Sequence, residues 1–330
     1  MGMFNLLIWG QRCLAVVLGF GLALAHAASP VYPERPVKLI IPYAAGGPTD
    51  VLGRIVGQKM GELLKQTVVI ENRPGSGATV GFTAVAKAPA DGYTLLLGDI
   101  NLSVNPFLYK NLAYDAQKDF APIGLIASAP LVMLVNQNFP AKNLQELMAL
   151  AKADPGKLTF GSAGAGNTTH LAMELFKSKF GLDLVHVPYK GANPAINDLV
   201  AGHIHIMVTG LSGAKALVES GKLRALAITG DKRAASLPNV PTFAEAGASL
   251  PEMKVGSWWG LFAPAGTPGD VTGELQKALV QSLASADVKQ RLKDLNIEPL
   301  PSTQQELERW VTQEMNTWGQ VIKRSGIQPE

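Results

Sequence analysis

The apolar positions of this chain come in two alternating kinds of run. VKLIIPY, Val37 to Tyr43, is short, branched and almost unbroken, the pattern of a strand covered on both faces. After the turn AAGGPTD, the residues Val51, Leu52, Ile55, Val56, Met60, Leu63 and Leu64 recur at a period near 3.6 and predict one face of a helix. TVVIEN, the loop RPGSGATVG, a short helix and YTLLLGD complete a strand–helix–strand–helix–strand unit, which implies parallel pairing through crossover helices. The rhythm restarts near residue 129 and runs to about 230: LVMLVN, the helix LQELMALAKA behind a capping pair Asn143 and Glu146, LTFGSAG, HLAMELFKSKFG, LDLVHVPY, PAINDLVAG, IHIMVTG, KALVESG and LRALAITG. Strand-like VGSWWGLFAP and two helical stretches follow, the last opening on Ser302 and Gln305.

The N-terminus has a different texture. Arg12 is the only charged residue before an apolar run from Cys13 to Leu24 that ends at Ala25-His26-Ala27. A basic flank, a short apolar core and a small-x-small site predict a secretory signal peptide, residues 1–27, cleaved after Ala27. The core is too short for a membrane span, which takes roughly 20 apolar residues. Cleavage removes Cys13, the only cysteine, so the exported chain is expected to have no disulfide and no thiol chemistry. It keeps 28 basic residues against 26 acidic ones, a balance that argues against nucleic acid as a partner.

Each α/β unit has a strand running into glycines before a helix, and open α/β sheets bind ligands beyond the carboxyl ends of their strands. In Ala44 to Asp50, Gly46 and Gly47 would let the backbone approach a ligand, Pro48 suits the first helical turn, and Thr49 and Asp50 bring polar groups to the helix start. GSAGAGNTTH, Gly161 to His170, nearly matches a phosphate loop but has Asn167 where the lysine should stand. It reads better as a carboxylate loop of N–H groups with Ser162, Asn167 and Thr168, with His170 placed to orient it. PGSGATVG, which holds Ser76, lacks the dinucleotide spacing and is read as a loop beside the cleft. Neither glycine turn contains Lys or Arg, so an acid is expected to be held by N–H groups and waters, with Lys190 shaping the rim.

Catalytic constellations are weak. No serine sits in G-x-S-x-G, and nothing in the spacing of Ser162, His170 and Asp198 supports a triad. His203 and His205 alternate on a strand without a third ligand, so no metal is expected. Of Trp258 and Trp259, on opposite strand faces, one is expected in the core and the other at the cleft. The expected chemistry is binding without catalysis, cofactor or metal, by a monomer. A secreted hydrolase on the same loops, a carboxylate sensor feeding a signalling system and a structural envelope protein are the alternatives.

Taken together, YPERPVKLIIPYAAGGPTD, VVIENRPGSGATVG, DGYTLLLGD, DFAPIGLIASAPLVMLVN, GSAGAGNTTHLAMELFK, VPYKGANPAINDLVAG, SLPNVPTFAEAG and WGLFAPAGTP resemble the substrate-binding proteins of tripartite tricarboxylate transporters, the Bug family, over nearly the whole exported chain. The resemblance implies an α/β, two-domain Venus-flytrap periplasmic binding protein, with mixed sheets and helices on both faces. It sets domain 1 at residues 28–128 plus 231–330 and domain 2 at 129–230. It implies a small carboxylate ligand (a di- or tricarboxylate, an acidic amino acid or an aromatic acid) and membrane permease subunits as partners. Carried onto this chain, the first jaw is Tyr43, Ala45, Gly46, Gly47, Thr49 and Asp50, with Ser76 and Asp99 beside it. The opposing jaw is Ser162, Ala163, Gly164, Ala165, Gly166 and Asn167, continued by Thr168, His170, Tyr189 and Thr209. The chain departs from the family at Gly202-His203-Ile204-His205, where a Gly-x-x-Asp pattern is usual, next to the stretch Thr209 to Ser212 that tunes ligand choice.

Overall fold

β1 (Val37–Ile41) forms where the unbroken apolar run predicts it, and Leu39, Ile40 and Ile41 are buried on both sides. It pairs in parallel with β2 (Val68–Asn72) and β3 (Thr94–Asp99), and α1 (Pro48–Leu64) and α2 (Thr79–Ala86) supply the crossovers. This is the computed structural model of the chain; it describes residues 32–253 and 256–329, and the predicted signal segment lies outside them. Arg35–Glu330 groups as one unit and Met1–Glu34 as another. Leu63, counted on the apolar face of α1, is instead exposed.

After β3 come α3 (Ile100–Leu108) and β4 (Phe120–Ala129). The later strand β10 (Ser257–Pro264) inserts antiparallel between β3 and β4, and β11 (Glu298–Pro299) adds at the edge, giving the order β11-β4-β10-β3-β1-β2. The second sheet is built from β5 (Leu131–Asn136), β6 (Thr159–Ser162), β7 (Val185–Pro188), β8 (Ile206–Gly210) and β9 (Leu223–Ile228), in the order β7-β6-β8-β5-β9. Its β6 runs parallel to β7 and β8, whereas β5 is antiparallel to β8 and β9. Both sheets are therefore mixed, because the strands next to each passage between the sheets enter against the local direction.

The helices of the second sheet are α4 (Leu144–Ala153), α5 (Thr168–Phe180), α6 (Ala192–Ala201) and α7 (Leu211–Glu219). Strand alternation divides their packing. Met133 and Val135 of β5 point to the cluster shared with α4 and α5, and Val132 and Leu134 to the one shared with α6 and α7. The chain ends with α8 (Gly269–Ala284), α9 (Ala286–Asp294) and α10 (Gln304–Arg324). Three helices thus stand where the sequence predicts two stretches. α10 packs on α3 and β4 of the first lobe and on α5 of the second, so one apolar cluster runs through Trp318, Val321 and Ile322 into both lobes. Its N-cap is Thr303 rather than Ser302, and Thr303 and Glu306 exchange the reciprocal capping bonds. The Ser302 hydroxyl is occupied elsewhere, accepting from the Leu125 N–H at 2.9 Å. No helix among the described residues is long and apolar enough to cross a membrane.

Both passages between the lobes run side by side. Leu131 N–H donates to the Thr229 hydroxyl at 2.8 Å, and Thr229 N–H donates to the Leu131 carbonyl at 2.9 Å. Gly256, on the returning passage, has φ +73°, and a Cβ there would lie 2.5 Å from the Ala129 carbonyl oxygen and 2.9 Å from Leu131 N. Neither neighbour is a flexible side-chain end. Gly256→Ala therefore combines left-handed strain with a backbone clash and is expected to cost ~3 kcal/mol of unfolding free energy. A urea midpoint equal to that of the parent would show that the crossing is not tightly packed.

Candidate functional site

The first glycine turn is organised from below. Asp50, in the first turn of α1, is buried and accepts from Arg54 Nε at 2.9 Å and Nη2 at 3.0 Å. It also accepts from Asn72 Nδ2 at 2.9 Å and from Gly46 N–H at 2.9 Å. The Arg54 guanidinium and these donors outweigh the burial and hold the carboxyl down at about 2. The same Asn72 amide donates to the Tyr43 carbonyl at 2.9 Å, so β2, the turn and α1 are tied together. Gly46 has φ +86° and needs to be glycine, but Gly47 is extended, and a Cβ there meets only the Ala44 carbonyl oxygen at 3.7 Å. The close approach expected of Gly47 is thus not a steric requirement of the turn.

At the end of β3 a second polar group faces the first lobe's side of the cleft. Tyr43 OH donates to Asp99 Oδ2 at 2.5 Å and accepts from Asn101 Nδ2 at 2.7 Å, while Asn101 N–H donates to Asp99 Oδ1 at 3.0 Å. Asp99 is the N-cap of α3. Enclosure by protein pushes its carboxyl up to about 6, against the pull of those two donors, and pushes the Tyr43 hydroxyl well above its ordinary value. Some surface of Asp99 stays accessible, and the residue borders the cleft.

The second turn rests on a stack of rings. Phe160, His186 and His170 lie nearly parallel, with the two imidazoles 3.8 Å apart at 9°. His170 Nδ1 accepts from Gly166 N–H at 3.0 Å, and His186 Nε2 lies 2.7 Å from Ser162 Oγ. Ser162 is fully buried, and its hydroxyl donates to the Gly164 carbonyl at 3.0 Å. Ala163 N–H donates to Thr169 Oγ1 at 2.9 Å, and Asn167 caps α5. Burial pushes both histidines down to about 4, with His170 and Lys177 adding to the effect at His186 and Lys177 at His170. His186, not singled out in the sequence, is what gives His170 its place.

A cleft of about 530 Å³ gathers residues from both lobes. Of the sequence-derived set, Tyr43, Thr49 and Asp99 line it from the first lobe, and Ala163, Asn167, Thr168 and Thr209 from the second. Ala45, Gly46, Gly47, Asp50 and Ser76 do not line it; Ser76 is an exposed loop residue. Nor do Ser162, Gly164, Ala165, Gly166 and His170, which lie in or beneath the second turn. Tyr189 is also absent from the lining: its hydroxyl donates to Asp198 Oδ2 at 2.6 Å, while its neighbour Lys190 reaches the cleft. Lys190 is exposed and has no ion-pair partner among the described residues. Ser212, from the stretch expected to tune ligand choice, lines the cleft, as do Asn101, Asn193 and Ser257, which were not singled out.

The two tryptophans depart from expectation. Both Trp258 and Trp259 are buried and both border the cleft. Their indole N–H groups are already used, Trp258 on Glu314 at 2.8 Å and Trp259 on Thr49 Oγ1 at 3.0 Å. Their pairing with Ser128 and Ala127 is in regular register, so the cleft is bordered at the strand end by both neighbours. A groove of about 640 Å³ between α1 and β2 is larger but open, and neither glycine turn reaches it.

The histidine stack has a pH signature. The folded protein holds both rings below the ordinary histidine value, so the unfolded chain binds more protons as pH falls. The stability they contribute is complete above about pH 6.5 and is lost as pH falls through about 4. Unfolding midpoints of the parent should drop across that window, and His186→Phe, which keeps a ring in the stack, should drop less steeply. Parallel pH profiles would contradict this account of the second turn.

The chain matches the model of the tripartite tricarboxylate transporter family receptor over residues 52–327. It is 36% identical over 312 residues to a protein from the tcbD-tcbE intergenic region of Pseudomonas sp. strain P51, covering 93% of each chain. Among solved structures, the periplasmic binding protein BugD superposes with a TM-score of 0.75 at 37% identity, covering 91% of this chain and 100% of that one. A Rhodopseudomonas palustris protein with adipate gives 0.78 at 35% identity, again over 91% and 100%. Two mixed sheets facing one cleft are the architecture of these binding proteins, and the chain belongs to the Bug-type receptor family of tripartite tricarboxylate transporters.

Proposed function

We propose that this receptor captures a small carboxylate in the cleft between its lobes and delivers it to the membrane permease of a tripartite transporter. The observation that carries the reading is the meeting of two independent strand-to-helix turns, one from each sheet, on a single cleft together with a lysine that has no ion-pair partner among the described residues. The start of α1, which no side chain caps, the Thr168, Thr209 and Ser257 hydroxyls and Lys190 are suited to an anion. The adipate of the R. palustris relative favours the same ligand class. Residues 28–128 with 231–330 would form one jaw and 129–230 the other. Closure then follows from the ligand touching both, since a ligand shifts a conformational equilibrium only through its different affinity for the two states. Export through the N-terminal signal would put the receptor in the periplasm, where its family works.

The test is a thermal-shift screen of carboxylic acids with chemical analysis of the recovered ligand. A true ligand at a hundred times its Kd stabilises the fold by about 2.7 kcal/mol and is recovered unchanged. Thr168→Val removes a hydroxyl at nearly constant shape and should weaken binding by ~0.5–1.5 kcal/mol. Lys190→Met should weaken it about tenfold, ~1.4 kcal/mol, and less in high salt. If no acid raises the melting point, or if the recovered acid has been transformed, capture of a carboxylate without catalysis is the wrong reading.

A further inference from the structure

Asp99 presents a problem that the carboxylate reading does not solve. A cleft for anions contains a carboxylate of its own. No cation pairs with it among the described residues, although an enclosed carboxylate is ordinarily paired with a cation or a metal. Its partners are neutral: the Tyr43 hydroxyl on Oδ2 and the Asn101 backbone N–H on Oδ1.

The hydrogen-bond inventory of this wall gives it a direction. A tyrosine hydroxyl has one proton, and Tyr43 gives it to Asp99 while receiving the Asn101 side-chain amide. Tyr43 therefore has no donor left for a ligand. The Trp258 and Trp259 indoles are likewise used. What the end of β3 still offers is acceptors, namely the remaining lone pairs of the Asp99 carboxylate and the Asn101 side-chain oxygen. Apart from the start of α1 and Ser257, the donors of the cleft lie on the second lobe, at Lys190, Thr168 and Thr209. The cleft is thus polarised, with a donor side and an acceptor side. A dicarboxylate satisfies the first and is repelled by the second; a molecule with a carboxylate at one end and an ammonium at the other satisfies both.

Resting on the carboxylate-capture reading, we infer that Asp99 is a specificity-determining residue that selects an amine-bearing carboxylate over the dicarboxylate of matched length. Tyr43 and Asn101 are positioning residues that fix the Asp99 carboxylate toward the cleft. Enclosure raises the Asp99 carboxyl to about 6, so it is mostly ionised at pH 7.5, and a bound ammonium would favour that ionised form further.

The experiment compares matched pairs by calorimetry at pH 7.5: succinate with 3-aminopropanoate, glutarate with 4-aminobutanoate, and adipate with 5-aminopentanoate. The parent should bind at least one amino acid about tenfold or more tightly than its diacid partner. Asp99→Asn should weaken that amino acid about tenfold and bring the diacid level with it or ahead. The ranking in the parent does not depend on how well the variant folds. A parent that prefers the diacids, or a ranking unchanged in a folded Asp99→Asn, overturns the role of Asp99 while leaving carboxylate capture intact. A parent that binds no member of any pair overturns this inference together with the reading it rests on.

Discussion

Gly256 packs its bare α-carbon against the backbone of Ala129 and Leu131, so the two passages described between the sheets meet at one place, and the rest of the architecture is arranged around that crossing. The bonds exchanged between Leu131 and Thr229 extend the β5–β9 pairing beside it. With both passages fixed at one place, the carboxyl ends of β1, β3, β6 and β8 are brought to a common cleft. Each end then only has to be shaped locally, by Asp50 and Asn72 in the first turn and by the imidazole stack in the second.

Much of this was legible in the residues. Unbroken branched runs gave the central strands, because a strand covered on both faces has no polar side to alternate with. Glycines next to helix starts gave both turns. Side-chain assignments were harder to read, and for a definite reason. Asp50 and Asp99 both follow a glycine-bearing strand end, yet one is consumed by an arginine four residues along its own helix and the other is left to the cleft. The i,i+4 spacing of Asp50 and Arg54 was available in the sequence. The partnership of Tyr43 with Asp99 was not, since 56 residues separate them.

The same distinction explains the histidines and tryptophans. His170 could be placed at a helix start, but the ring beneath it, His186, comes from a neighbouring strand and enters through sheet pairing. Strict alternation predicts one core tryptophan and one cleft tryptophan, yet both are buried and both border the cleft. Which buried residues also meet a cleft depends on how the two lobes come together, and that carries no signature in a single sequence, whereas periodicity does.

The placement of α10 gives the molecule a built-in asymmetry. It packs on α3 and β4 of the first lobe but chiefly on one helix, α5, of the second. α5 is a rigid rod of 13 residues, about 20 Å long, whose first residue, Thr168, stands at the cleft. In the closure proposed above, a slide of α5 against α10 would be delivered undiminished at the ligand end of the rod. The C-terminal helix would then serve as a rail, and the second lobe as the carriage that runs on it.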